Sequence, residues 1–205
     1  LRPEDGRLLI KRSLTGENGY IMLLPASIDQ SVQSELSGAL ESFGFVELCA
    51  QSLEVLRIEA GLPVFAREIS SDYLLPETAL EQMAASYDKG CFQGQEVLAR
   101  IKTYGAPRQA LVGLLFDSPV SETIADNSPF YVNGEEAGVI KSSAFSPTRG
   151  IHVAMAYIAR EFRIPEVQVN FAIDVKVPSR TGAAREAETV ERRSYVGKVA
   201  FLPLL

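Results

Sequence analysis

The stretch of this chain best equipped for chemistry is Lys89-Gly90-Cys91-Phe92-Gln93-Gly94-Gln95-Glu96. A thiolate, not a thiol, is the nucleophile and metal ligand, and its formation is favoured by nearby positive charge. Gly94, Val97, Leu98 and Ile101 follow at the spacing of one helical face. Gly90 and Gly94 read as a tight loop that feeds this helix, so Cys91 is expected at or just before a helix N-terminus. Unpaired N–H groups there and the ammonium of Lys89 would both favour the anion. A second reading stays open, in which Cys91 is a small buried hydrophobe with an inert thiol. Cys49, between Leu48 and Ala50 in an apolar run, is expected to be buried, with its thiol pKa raised.

Other charged residues attract notice by position. Ser52 can cap a helix reaching about Ala60, stopped by Gly61 and Pro63. Leu53, Val55, Leu56 and Ile58 cover more than one of its faces, so Arg57 and Glu59 ride on a buried helix and need partners. Glu17 sits in Thr15-Gly16-Glu17-Asn18-Gly19, turn chemistry between the strand-like runs 8–12 and 20–24. Read alone, Glu17 is a solvated hairpin charge and Arg57 part of a helix-end ion pair. The lone His152 falls on the face opposite Ile151, Val153, Met155 and Tyr157, where it reads as a surface residue without a role.

The positioning elements follow from periodicity. Ser27 and Gln30 suggest a capping box ahead of a helix through Ile28, Val32, Leu36, Leu40 and Phe43, closed by Gly44. Phe45–Leu48 is a short strand candidate. Thr78 and Glu81 suggest a further box, and Leu80, Met83, Ala84 and Tyr87 a third amphipathic helix. After Tyr104-Gly105-Ala106-Pro107 the helical period disappears. Gln109–Phe116 is a continuous apolar strand, Asn133-Gly134 a hairpin turn, and Val167–Val177 alternates with period two. Residues 178–194 read as a polar loop before a closing strand near Val196–Leu202. The expected fold class is α+β, divided into residues 1–104 and an all-β barrel of residues 105–205.

Composition narrows the function. A net charge of -6 argues against a general polyanion binder, so no direct nucleic-acid binding is expected. Cys49 and Cys91 have no CxxC or CxxH company, so no metal site is expected, and a reducing compartment is favoured over a disulfide framework. No apolar run approaches the roughly 20 residues of a membrane helix, so no membrane partner is expected. The chain opens at Leu1 in turn-like polar sequence, and an N-terminal portion is expected to precede it.

Lys89–Glu96 resembles the K-G-C-(Y/F)-x-G-Q-E signature of the YgfZ branch of the folate-binding YgfZ/GcvT superfamily. Thr15–Tyr20 is similar to the T-G-E-(D/N)-G-(F/Y) hairpin of glycine-cleavage T-proteins. Arg57-Ile58-Glu59-Ala60-Gly61-Leu62-Pro63 resembles the family's R-x-E-A-G-(L/M)-P. Gly138-Val139-Ile140-Lys141-Ser142-Ser143 with Ser146-Pro147 resembles its barrel segment. These matches run along essentially the whole chain in the family's order.

The resemblance implies the C-terminal part of a GcvT-like folate-binding domain followed by a small antiparallel β-barrel. It implies tetrahydrofolate as the bound cofactor, with Glu17 at the pterin and Arg57 at the folate site. A carboxylate can accept two parallel donors from the pterin amide–amidine edge, and a guanidinium suits a folate carboxylate. The Lys-Gly-Cys signature, which T-proteins lack, points to a cytoplasmic YgfZ-type protein. Such a protein supports iron–sulfur cluster assembly or repair, and so cluster-dependent enzymes such as tRNA-modifying ones. Cys91 is then the functional thiol, Lys89 tunes its charge, and iron–sulfur proteins or assembly factors are partners. The alternative is an aminomethyltransferase moving a one-carbon unit onto tetrahydrofolate N5. T-proteins carry the catalytic aspartate for that reaction upstream of the T-G-E hairpin, outside these residues. A third reading is a scaffold that keeps the fold without binding folate.

Overall fold

A computed structural model describes residues 7–27, 29–120, 124–164, 168–178 and 188–204. They form two compact units, Leu1–Arg57 and Ile58–Leu205.

The first unit holds a hairpin and helical segments. β1 (Leu8–Lys11) pairs antiparallel with β2 (Tyr20–Leu23), Leu8 opposite Leu23 and Lys11 opposite Tyr20. The helix α1 (Gln30–Ser42) starts at Asp29, whose carboxylate accepts from the Ser31 N–H at 3.4 Å. Asp29 therefore caps α1 in place of the expected Ser27–Gln30 box; Ile28 lies outside the described residues. No strand forms over residues 45–48. Those residues lead instead into α2 (Ala50–Glu59), which crosses from one unit into the other between Arg57 and Ile58.

In the second unit the expected helix through Tyr87 is cut short. A 3-10 turn at Leu75–Glu77 is followed by α3 (Glu81–Ala84), and Ala85 is already extended. Instead of a Thr78–Glu81 box, the Glu77 carboxylate accepts from the Leu74 N–H at 3.0 Å. Of the expected stripe, Met83 stays exposed and Leu80 and Tyr87 are only partly buried. The helix α4 spans Gln95–Tyr104, and of its expected stripe Leu98 is buried while Val97 remains exposed.

The barrel takes β3 (Gln109–Phe116), β4 (Ser128–Val132), β5 (Glu135–Ser146), β6 (Ile151–Ala159), β7 (Gln168–Pro178) and β8 (Glu188–Ala200). Their order around the closed barrel is β3-β6-β5-β4-β7-β8, every pair antiparallel. Closure gives each strand a neighbour on both sides around the barrel. Inside, Phe116 meets Phe171 edge-on at 5.0 Å and Tyr195 at 5.8 Å, with Leu114, Phe130, Ile140 and Ile158 buried around them. Residues 188–194 belong to the long β7–β8 ribbon rather than to the loop expected from their charge, Arg193 lying opposite Ile173 and Glu191 opposite Val175. Residues 179–187, the remainder of that expected loop, lie outside the described residues.

His152 is not the solvated surface residue its alternation suggested. It is half-buried, edge-on to Phe145 at 5.6 Å and to Phe116 at 6.4 Å, and burial lowers its pKa. On the barrel's outer face a second apolar layer gathers Ile58, Leu111, Val153, Met155, Tyr157 and Leu204. Glu59 is buried beside it and accepts hydrogen bonds from the hydroxyls of Ser146 and, at 3.5 Å, Thr148. Its backbone carbonyl accepts from the Leu204 N–H at 2.8 Å. The acid required on this buried helix end thus has hydroxyl partners from the barrel.

Candidate functional site

Glu17 is exposed in the β1–β2 loop. The loop is closed by the Arg12 N–H donating to the Gly19 carbonyl at 3.0 Å. A Cβ on Gly19 would lie 2.9 Å from the Arg12 carbonyl oxygen, so the loop's final glycine is required by close backbone approach. The tight turn thus presents the Glu17 carboxylate to solvent.

Arg57 is buried in the last turn of α2, and its fork closes on the Glu54 carboxylate. Nε donates to Oε2 at 2.6 Å and Nη2 to Oε1 at 2.5 Å. Such bidentate pairing fixes the plane of a guanidinium as well as adding energy. The spacing of Glu54 and Arg57 on one helix face allows this pair.

Cys91 is exposed, and the residues of its own motif build the turn that carries it. The Phe92 N–H donates to the Gln95 side chain at 3.2 Å, and the Gln95 N–H to the Phe92 carbonyl at 3.2 Å. Gly94 enters α4 at φ +85, a conformation natural to glycine. The Lys89 ammonium lies over the Phe92 ring, 4.9 Å from its centroid. The expectation of a buried, inert Cys91 therefore fails; Cys91 lies just before a helix, ahead of the Gly94 cap, and not on the terminal turn itself. Helix α4 begins only at Gln95, and a terminal dipole fades within one turn.

Cys49 overturns its expectation more fully. It is exposed, not buried, and serves as the N-terminal cap of α2. Its sulfur shares a hydrogen bond with Ser52 Oγ at 3.2 Å and accepts from the Ser52 N–H at 3.4 Å. The Ser52 side chain first, and its backbone N–H second, hold the thiol below its ordinary pKa. An exposed thiol so acidified carries more thiolate at neutral pH. Iodoacetamide labelling followed by peptide mass spectrometry is expected to show Ser52→Ala moving the Cys49 labelling midpoint to higher pH. An unchanged midpoint would show that the Ser52 bonds do not set it.

One buried polar cluster escaped sequence reasoning. Lys141, nearly buried, lies where β5 slips register against β6 between Ile140 and Ser142. Its ammonium donates to Asn127 Oδ1 at 2.5 Å and lies 5.3 Å from the Tyr73 ring centroid. Tyr73 stacks on Tyr157 at 3.6 Å, and the Tyr157 hydroxyl donates to the Glu68 carbonyl at 2.8 Å. Burial, then Tyr73, Glu77 and Glu68, raise the Tyr157 pKa. The available signal was the break in alternation at Lys141, a charge among strand residues.

Residues 109–195 match the family model of the glycine cleavage T-protein C-terminal barrel domain. The barrel is of the T-protein type. Beyond it, the chain is 31% identical to an aminomethyltransferase of Symbiobacterium thermophilum over 189 residues, covering 91% of this chain and 48% of that protein. It is 28% identical to an aminomethyltransferase of Corynebacterium jeikeium over 201 residues, 96% of this chain and 47% of that protein. The crystal structure of glycine cleavage system aminomethyltransferase T from Bartonella henselae shares the fold. Its TM-score is 0.75 at 21% identity, over 99% of this chain and 50% of that one. The chain spans about half the length of the curated relatives it matches. Together with the T-protein barrel, these likenesses support the GcvT-like folate-binding superfamily. The relatives named are aminomethyltransferases. Among the described residues no helix is long and apolar enough to cross a membrane, and no cluster of three or more His, Cys, Asp or Glu could hold a metal ion.

Proposed function

We propose that this chain is part of a tetrahydrofolate-binding, aminomethyltransferase-type protein acting in the cytoplasm. Residues 1–104 belong to its folate-binding part and residues 105–205 to its barrel domain. Glu17 receives the pterin edge, and Arg57, oriented by Glu54, receives a carboxylate of the folate tail. The observation that carries this reading is the extent of the likeness to aminomethyltransferases. It covers 96% of the chain in one relative, reaching the hairpin and α2 as well as the barrel. What these residues do for the reaction is bind and orient: the one-carbon unit goes to N5 of a pterin held in a fixed plane. Calorimetric titration of the full chain with tetrahydrofolate is expected to give saturable binding, with p-aminobenzoylglutamate, which lacks the pterin, binding more weakly. Absence of saturable binding sinks the reading and favours a scaffold that keeps the fold alone.

A second reading rests on the exposed Cys91 turn, in which Lys89, Phe92, Gly94 and Gln95 all serve to shape one loop. In it the protein is of the YgfZ type and supports iron–sulfur cluster assembly or repair, with iron–sulfur proteins or assembly factors as partners. The two readings separate on Cys91→Ser. In the iron–sulfur reading this variant lowers cluster-dependent enzyme activity, including tRNA modification, in cells while folate affinity is unchanged. In the aminomethyl reading it is silent in both assays.

A further inference from the structure

Within the second unit, the 3-10 turn, α3, α4 and the chain leaving α4 line a half-open pocket of about 500 Å³. Its size is that of a small-molecule site. Pro76, Ile101 and Pro107 give it an apolar wall, while Glu81, Tyr87 and Lys102 give it a polar one. The polar wall is organised by one ring. Tyr87 donates its hydroxyl hydrogen to Glu81 Oε1, and the Lys102 ammonium lies 3.9 Å from the centre of the same ring. A carboxylate at the rim of the tyrosine and an ammonium on its face thus stand within one side chain's span of each other. Among the described residues the second oxygen of Glu81 accepts no hydrogen bond, and Lys102 is matched only by the ring. A cation–π contact at an exposed site is weak, and a carboxylate ligand would displace it.

We propose that this cavity binds a free α-amino acid with a large apolar side chain. Its ammonium meets Glu81 Oε2, its carboxylate meets Lys102, and its side chain covers Ile101 and the two prolines. A zwitterion with both charges close together satisfies the two opposite charges that flank the Tyr87 ring. An anion alone meets Glu81, a cation alone meets Lys102, and each is repelled. A small amino acid such as glycine leaves the apolar wall wet. The proposal is independent of the folate reading, since the cavity shares no residue with Glu17, Arg57, Lys89 or Cys91.

The test titrates the full chain with L-phenylalanine and L-leucine by calorimetry and by thermal shift. Controls are glycine, N-acetyl-L-phenylalanine and L-phenylalaninamide. Saturable binding is expected for at least one of the two apolar amino acids. Binding about tenfold weaker or more is expected for glycine and for both blocked derivatives, each of which loses a charged contact or the apolar one. Glu81→Gln and Lys102→Met are expected to weaken binding to the same degree without altering far-ultraviolet circular dichroism. Nuclear magnetic resonance shifts confined to Tyr87, Ile101 and their neighbours in the unmodified protein locate the site even where a variant folds poorly. The proposal is overturned by no saturable binding, by equal affinity for the blocked derivatives, or by shifts that spare Tyr87 and Ile101.

Discussion

Gly138→Ala is expected to destabilise the barrel by about 3 kcal/mol or more, the cost of forcing a methyl group into closely packed backbone. Gly138 lies opposite Ile158 in the β5–β6 pair. A Cβ there would stand 1.9 Å from the Tyr157 carbonyl oxygen and 3.0 Å from the Ile158 Cα. Both obstacles are backbone, so no side chain can rotate out of the way. The two strands must part by more than an ångström, against the spacing of roughly 4.7–4.9 Å that their hydrogen bonds set. Tyr157 also donates to the Glu68 carbonyl and stacks on Tyr73, so movement of its backbone disturbs that cluster as well. Urea denaturation of the variant measures the loss. Gly90→Ala is the control, because nothing lies within 4 Å of the added methyl. It is expected to change stability by no more than about 0.5 kcal/mol. A Gly138→Ala midpoint equal to that of Gly90→Ala would mean that the β5–β6 pair opens freely.

The barrel was legible because its signals are local and mutually consistent. After Gln109, residues 110–116 carry no polar side chain and complete β3, buried on both faces except at Leu115. Asn133 and Gly134 take φ values of +52 and +87, the pair of left-handed residues that the primed hairpin turn requires. Where two structures satisfy the same pattern, sequence reasoning chose wrongly. The run Leu48-Cys49-Ala50 suits a strand or a helix entrance equally, and short apolar runs do not decide between them. What decided was Ser52, whose N–H needed an acceptor at the start of α2 and found the Cys49 sulfur. The charged residues 191–193 and Ser194 looked like loop because polarity was taken as a mark of solvent. In a two-stranded ribbon their backbone pairs with β7 while the side chains remain exposed. The candidate site divides along the same line. Arg57 needed a partner and its spacing to Glu54 supplied one, a relation visible in the sequence. The Lys141–Tyr73–Tyr157 contacts join segments far apart in the chain, and no local period announces them.

For the folate reading, Glu17→Gln is expected to weaken tetrahydrofolate binding by about 1.5–3 kcal/mol, roughly 10- to 150-fold, the range for hydrogen bonds to a charged group. The size of the effect follows from donor and acceptor counting. An ionised carboxylate offers acceptors at both oxygens, and the pterin edge offers two parallel N–H donors. Glutamine keeps the shape and one acceptor but replaces the other oxygen with an NH₂ group. That group faces a donor, so one bond is lost, the charge assistance to the other is lost, and two hydrogens are set against each other. Fold stability is not at stake, because Glu17 is exposed on a loop closed by the backbone bond between Arg12 and Gly19. Glu41→Gln, an exposed change on α1, serves as the control for loss of one negative charge. It is expected to leave affinity unchanged at physiological salt, where exposed charges beyond about 8 Å are screened. If both variants bind as the unmodified chain does, Glu17 is a solvated hairpin charge and the pterin is held elsewhere. If both weaken equally, the effect belongs to net charge and not to the hairpin. Only a selective loss in Glu17→Gln, with p-aminobenzoylglutamate affinity untouched, assigns the carboxylate to the pterin edge.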